Sequence, residues 1–237
     1  MSEIQKTVWI TGASSGIGKE LALEFVRNGE IVLATARKIS AIESLKKDLG
    51  EQSDNLIPAV VDITDKDVVK EFYKSISEKY SVSCLINNAG ITSFKKAEQD
   101  TIEEIEKIIA TNLYGSVYSI KAVLPDMIAN NSGTIINLLS IVTKKIFTGS
   151  SAYSASKAGL MAYANSLREE VRKNNIRVIN VSPGPTQTPI WSNAALEKHS
   201  YKMMSPVDVA KLVYHIYKIK SNMVVEDISI RPIQGDL

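Results

Sequence analysis

The sequence predicts an α/β fold, a doubly wound and mostly parallel sheet of about seven strands with helices on both faces. Short β-branched, apolar runs recur along the 237 residues, separated by longer stretches with helical spacing. Several of the runs are apolar almost throughout rather than alternating, the pattern of strands covered on both faces. Strand–helix alternation of this kind is the signature of βαβ units joined by right-handed crossovers. With 44% hydrophobic and 23% charged residues, the chain can bury a sizeable core. No repeat, low-complexity tract or linker interrupts it, so residues 1–237 are expected to form a single domain.

In chain order, the strand candidates are Thr7–Ile10, Ile31–Thr35, Leu56–Val61, Cys84–Ile86, Thr134–Leu138, Ile176–Val181 and Asp227–Ile230. The first helix is expected over Gly18–Asn28, where Leu21, Phe25 and Val26 share one face. Asp67–Tyr80 repeats that spacing with Val68, Phe72 and Ile76, and longer helical stretches run over Ile102–Asn130 and Ala152–Lys173.

Composition removes several classes of function. Lys and Arg number 28 against 26 Asp and Glu, for a formal charge of +2. The two signs alternate, so no basic patch for nucleic acid is expected. The single Cys84 rules out an intrachain disulfide and fits a reducing compartment. Within Cys84-Leu85-Ile86 it reads as a small core residue. The start, Met1–Lys6, leads directly into a strand-like run without the apolar segment of a signal peptide. No run approaches the roughly 18 apolar residues of a membrane span. A cytoplasmic protein is therefore expected. His199 and His215 have no metal-ligand spacing with another His or Cys, so no metal is expected.

The first strand runs into Thr11-Gly12-Ala13-Ser14-Ser15-Gly16-Ile17-Gly18, which opens the first helix. A phosphate can lie against so tight a turn only where side chains are missing, and the helix N-terminus offers it free N–H groups. Glycines at 12, 16 and 18 do not match the G-x-G-x-x-G spacing, so by itself the loop could be a plain glycine turn. Its place between strand and helix, with the second strand at the right distance, points to a dinucleotide. NAD-preferring folds carry an acid about 20 residues further on, at the end of the second strand, for the ribose 2′-hydroxyl. Here that strand ends Ala36-Arg37-Lys38, with no acid until Glu43. Arg37 and Lys38 would attract a 2′-phosphate, Arg37 through paired N–H groups. The alternative is that they simply open a solvated helix. NADP(H) is the expected cofactor.

Tyr153-Ser154-Ala155-Ser156-Lys157 sets a phenol and an ammonium four residues apart, on one helix face. A phenol with pKa about 10 transfers protons poorly at neutral pH, and a nearby cation improves it. An ordinary surface Tyr/Lys pair would look the same. What distinguishes this one is Ser140, at the end of the fifth strand in Ile136-Asn137-Leu138-Leu139-Ser140.

Taken in order, the glycine loop, Asn87-Asn88-Ala89-Gly90, Asn112, Ser140, Tyr153/Lys157 and Pro183-Gly184 resemble the short-chain dehydrogenase/reductase family in its ordinary-length, single-domain Rossmann branch. The resemblance covers nearly the whole chain. It implies that Tyr153 is the general acid in reduction and the base in oxidation. Lys157 would bond the nicotinamide ribose and lower the Tyr153 pKa. Ser140 would hold the substrate oxygen, and Asn112 would support a water linking Lys157 to solvent. Cofactor contacts are implied for Gly12, Ser14, Ser15, Gly16, Ile17 and Gly18 in the loop, for Arg37 and Lys38, and for Tyr153 and Lys157. Asp62 and Ile63 would meet the adenine side, and Asn88, Ala89 and Gly90 would line the cofactor. Pro183, Gly184, Thr186 and Thr188 would wall the nicotinamide.

Three departures qualify this. Leu139 replaces a frequent second Ser, and Thr186 takes a position more often apolar. The C-terminus, Ile230–Leu237, lacks the paired glycines of fatty-acid-synthesis ketoacyl reductases and is nearer to the broad-specificity, hydroxy-acid-type reductases.

Residues 187–204 have no clean periodicity and sit where the family places its substrate lid. Ile190, Trp191, Tyr201, Met203 and Met204 could wall an apolar site, with Ile141, Val142 and Phe147 completing it, or could merely pin the loop to the core. Trp191, Ser140 and Tyr153 are the candidate substrate contacts. Lys144 and Lys145 could meet an acidic substrate or be solvated. The leading expectation is an NADP(H)-dependent oxidoreductase of a small to medium, partly apolar carbonyl or alcohol. A 3-oxoacyl-[acyl-carrier-protein]-type reductase and a non-catalytic NADP(H)-binding redox sensor are the alternatives. A homodimer or homotetramer, paired through the long helices, is a family-level expectation.

Overall fold

The computed structural model describes residues 4–219 and 222–235. The expectations for Met1–Glu3, Asp236 and Leu237 lie outside them. Seven strands form one sheet, β1 (Gln5–Thr11), β2 (Ile31–Ala36), β3 (Leu56–Val60), β4 (Tyr80–Asn87), β5 (Gly133–Leu138), β6 (Ile176–Pro183) and β7 (Asp227–Ile230). Their order is β3-β2-β1-β4-β5-β6-β7, and every pairing is parallel. The order reverses between β1 and β4, which opens a crevice at the C-terminal ends of the strands, where such sheets bind ligands.

The unbroken apolar strands are explained by two cores. Val8 and Ile10 turn to one face, with Val32, Ala34 and Ile86. There they pack beneath α1 (Gly16–Arg27) and α9 (Pro206–Lys218). Trp9, Leu33, Leu85 and Ile135 turn to the other, beneath α4 (Lys66–Ile76), α6 (Gly115–Ala129) and α7 (Ser151–Val171). Trp9 is fully buried. Its Nε1 donates to Thr35 Oγ1 at 3.0 Å, and Phe72 lies 5.2 Å away, ring to ring. Burial of each large side chain of this kind contributes about 1.5–3 kcal/mol.

Three boundaries differ from expectation. β4 starts at Tyr80, not Cys84, because the polar segment Tyr80–Val82 pairs with Gln5–Thr7 across a register shift at Thr7/Val8. The helix expected to reach Tyr80 stops at Ile76, capped at its start by Asp65, whose carboxylate accepts from Asp67 N and Val68 N. The helix expected over Ile102–Asn130 is interrupted: α5 (Ile102–Ile109) passes through one π-helical turn, Ala110–Tyr114, before α6. Short helices α2 (Ile39–Glu43), α3 (Lys46–Leu49) and α8 (Asn193–His199) were not visible in the sequence pattern, being too brief for a helical period.

A ladder of buried amides crosses the sheet. Asn87, Asn137 and Asn180 stand in register on β4, β5 and β6. Asn87 Nδ2 donates to Asn137 Oδ1 at 3.0 Å, and Asn137 Nδ2 to Asn180 Oδ1 at 3.2 Å. Asn180 Nδ2 continues to Asp227 Oδ1 on β7 at 3.1 Å. The ladder aligns the strand ends from which the site is built.

Candidate active site

Two adjoining cavities lie at the C-terminal edge of the sheet. The larger, of about 510 Å³, is bounded by Gly12, Ser14, Ser15, Gly16 and Ile17 on one side. Arg37, Asp62 and Ile63 close its far end, and Asn88, Ala89 and Gly90 its floor.

The shape of the loop follows from its glycines. Gly12 has φ +66°, and a Cβ there would come within 2.7 Å of the Ala89 backbone. Gly16 has φ +55°, a region L side chains rarely enter. Gly18 does not line the cavity: it sits behind the turn, where a Cβ would collide with Asn88 Nδ2 and the Gly12 carbonyl. The same Asn88 amide donates to Thr11 O at 3.0 Å and Gly12 O at 3.1 Å, fixing the loop to the end of β4. Thr11, a residue the sequence did not single out, accepts at Oγ1 from Asn88 N and Ala89 N at 3.1 and 3.2 Å. α1 begins at Gly16 without a side-chain cap on its first N–H groups. Uncapped N–H groups at the positive end of a helix suit an anionic pyrophosphate, and the glycine cradle leaves it room.

Arg37 borders the cavity and Lys38 does not; Lys38 is the exposed, extended residue that starts α2. Asp62 is held below the usual carboxylate range by the Thr64 hydroxyl (2.7 Å) and then the Thr64 N–H (3.0 Å), with the charge of Arg37 a smaller cause. Lys107 on α5 and Thr111 in the π-helical turn, four residues on, also border it. Their four-residue spacing just before Asn112 was a signal the sequence reading did not use.

The smaller cavity, of about 280 Å³, holds Ser140, Tyr153 and Trp191, together with Leu139 and Phe147. Pro183, Gly184 and Thr186 line this cavity rather than the larger one, while Thr188 and Ile190 border both. Phe94, also missed by the sequence, lies in the loop after β4 with its backbone at φ +49°. Its ring stacks on Trp191 with centroids 4.7 Å apart and planes at 14°. No local pattern marks Phe94, because its partner is 97 positions away.

Tyr153 and Lys157 lie on α7, both buried. Lys157 Nζ donates to Leu138 O at 2.7 Å and lies 5.9 Å from the Tyr153 ring centroid. Burial brings the Lys157 ammonium down to about 8. Burial also raises the Tyr153 phenol, and a hydrogen bond with the Ser140 side chain opposes that rise. Ser140 thus opposes the effect of burial on the phenol, while Lys157 donates to a main-chain carbonyl. Asn112 occupies the π-helical turn, fully buried. Its Oδ1 accepts from Ile91 N at 2.8 Å, and its Nδ2 donates to Ile91 O and Ser156 Oγ, each at 2.9 Å. Ser156 Oγ in turn donates to Tyr153 O at 2.7 Å. The π turn, a feature frequent at functional sites, is where Asn112 makes its bond to Ser156 of α7. Gly90 lets the loop after β4 pass between Asn112 and Lys157, since a Cβ there would sit 3.3 Å from Asn112 Oδ1 and 3.4 Å from Lys157 Nζ.

This is a dinucleotide-type cradle opening onto a small acceptor site with a buried Ser–Tyr pair. Residues 6–199 match the short chain dehydrogenase family, and the chain belongs to it. It is 32% identical over 236 residues to an uncharacterised oxidoreductase of Staphylococcus saprophyticus, with 98% of this chain and 100% of that one covered. It is also 32% identical to the sepiapterin reductase of Chlorobaculum tepidum, with 96% of each chain covered. Among solved structures, the closed form of serine dehydrogenase complexed with NADP+ superposes with a TM-score of 0.90 at 28% identity, covering 98% of this chain and 96% of that one. Among the described residues no helix is long and apolar enough to cross a membrane, and no group of three or more His, Cys, Asp or Glu could hold a metal ion.

Proposed function

We propose that this NADP(H)-dependent oxidoreductase reduces a small to medium, partly apolar carbonyl compound, or oxidises the corresponding alcohol. The observation that carries the reading is the junction of the two cavities at Thr188 and Ile190. The nucleotide cradle leads there straight to the wall that holds Ser140 and Tyr153.

NADPH, when bound, supplies the hydride that reduces the carbonyl carbon. Gly12, Ser14, Ser15, Gly16 and Ile17 would hold its pyrophosphate against the start of α1. Arg37 would take the 2′-phosphate, and Asp62 and Ile63 would face the adenine. Asn88, Ala89 and Gly90 would line the nicotinamide half, with Tyr153 and Lys157 at its ribose, and Thr188 would close it where the two cavities meet. The substrate oxygen would lie between Ser140 and Tyr153, where developing negative charge meets two hydroxyl donors. Tyr153 then gives its proton to that oxygen, and in oxidation takes it back. Lys157 is the cation through which the phenolate left behind would be stabilised once its side chain turns from Leu138 O to the bound nucleotide. Asn112 would support the water that links Lys157 to solvent, and its bonds to Ile91 and Ser156 tie the π-helical turn to the loop after β4 and to α7. Residues 187–204 would act as a lid over one domain, residues 1–237, of a cytoplasmic homodimer or homotetramer.

The acyl-carrier-protein and sensor alternatives are not favoured: the acceptor cavity is small, and a sensor would not require the Ser140–Tyr153 pair. Nicotinamide absorbance, with NADPH and NADH each offered against ketones, aldehydes, sepiapterin and a 3-oxoacyl thioester, tests the proposal. Turnover with NADPH well above NADH on a small carbonyl is expected. Tight NADPH binding without turnover on any carbonyl or alcohol would refute it.

A further inference from the structure

We infer that the acceptor cavity selects an uncharged carbonyl compound carrying one flat aromatic group, and rejects substrates with a carboxylate beside the carbonyl. The inference rests on the carbonyl-reduction reading above and narrows it. Its basis is the chemistry of the wall. Leu139, Ile141, Val142, Phe147 and Trp191 are among its lining residues, and among the described residues no Lys, Arg or His borders the cavity. Three side-chain donors of the wall are already committed to main-chain carbonyls. Thr186 Oγ1 donates to Gly184 O at 3.0 Å and Ser150 Oγ to Phe147 O at 2.7 Å. Trp191 Nε1 donates to Thr186 O at 3.1 Å. Ser140 bonds the Tyr153 phenol, and under the reading above both would be taken up by the reacting oxygen. Two cations stand behind lining residues without bordering the cavity: Lys145, whose Nζ lies 5.3 Å from the Phe147 ring centroid, and Lys157, 5.9 Å from the Tyr153 ring centroid and bonded to Leu138 O. A carboxylate taken into such a site loses its water without gaining a cationic partner.

Flatness follows from the stacked Phe94–Trp191 pair, which joins the loop after β4 to the segment after β6 and forms an aromatic side of the cavity. Phe94 holds this position in a left-handed backbone conformation at φ +49°, a conformation that persists only where the surroundings enforce it. Aromatic rings prefer such partners in offset-stacked or edge-to-face contact. At about 280 Å³ the cavity is just below the range for ligand sites, about 300–1,000 Å³, room for one ring and its carbonyl but not for a long acyl chain.

The test compares kcat/KM with NADPH for ethyl benzoylformate and for benzoylformate, which differ at the charged group, and for acetophenone against methyl cyclohexyl ketone, which differ in flatness. The neutral ester should exceed the acid at least about a hundredfold, equivalent to about 2.7 kcal/mol. Acetophenone should exceed the cyclohexyl ketone by about tenfold, and in Trp191→Ala that second ratio should fall toward one. Equal or faster reduction of benzoylformate, or a cyclohexyl ketone preferred by the wild type, overturns the inference while leaving carbonyl reduction standing. Absence of turnover on all four and on the wider panel would instead remove the underlying reading, and this one with it.

Discussion

Replacing Lys157 by Met should abolish turnover and yet make the nucleotide-free protein more stable at neutral pH. Lys157 is 3% exposed, and burial lowers its ammonium from 10.5 to about 8. That depression corresponds to about 3 kcal/mol against the charged form at pH 7. Met has nearly the same length and needs no solvation, so the penalty disappears. Part of the gain is offset because the Leu138 carbonyl loses its 2.7 Å donor, at a cost of about 1–2 kcal/mol. The net expectation is about 1–2 kcal/mol, or roughly 2–6 °C in Tm for a chain of this size. The pH dependence has a definite sign. A group with a depressed folded pKa leaves the unfolded chain holding more protons between the two values, so wild-type stability rises with pH there. For Lys157 the window runs from about 8 to 10.5. The variant's advantage should therefore be full below pH 8 and vanish, then reverse, toward pH 10.5. Thermal unfolding of both proteins without nucleotide at pH 7, 8.5 and 10 measures this. A variant that is less stable at pH 7, by a margin that does not change with pH, would refute the reasoning.

Tyr153→Phe removes only the transferable proton and should lower kcat about a thousandfold, with NADPH binding retained in a fluorescence titration. Arg37→Glu places a carboxylate where the 2′-phosphate is expected; the KM for NADPH should rise roughly a hundredfold and the preference should move toward NADH in initial-rate assays. Gly12→Ala forces a Cβ to 2.7 Å from the Ala89 backbone at φ +66°. It should cost at least about 2 kcal/mol in chemical denaturation and remove NADPH binding by calorimetry.

What the sequence determined by itself was the set of strands and the chemistry laid along their C-terminal ends. All seven strand runs are present, because a parallel sheet covered on both faces demands apolar residues in succession, a signal local enough to read. The glycine loop was legible for the same reason: its conformation depends on residues whose missing side chains are visible in one dimension. Tyr153 and Lys157 were legible because four residues make one helical turn. Tertiary structure decided the rest. It bonded Asn112 to α7 from a π-helical turn that no propensity announces, and it brought Arg37 to the cradle while leaving Lys38 in solvent. It set Lys157 on the Leu138 carbonyl and Ser140 on the buried phenol. It also stacked Phe94 on Trp191 across the acceptor site. Each of these depends on packing between elements distant in the chain, where the partner, the distance and the loss of water exist only once the sheet has assembled.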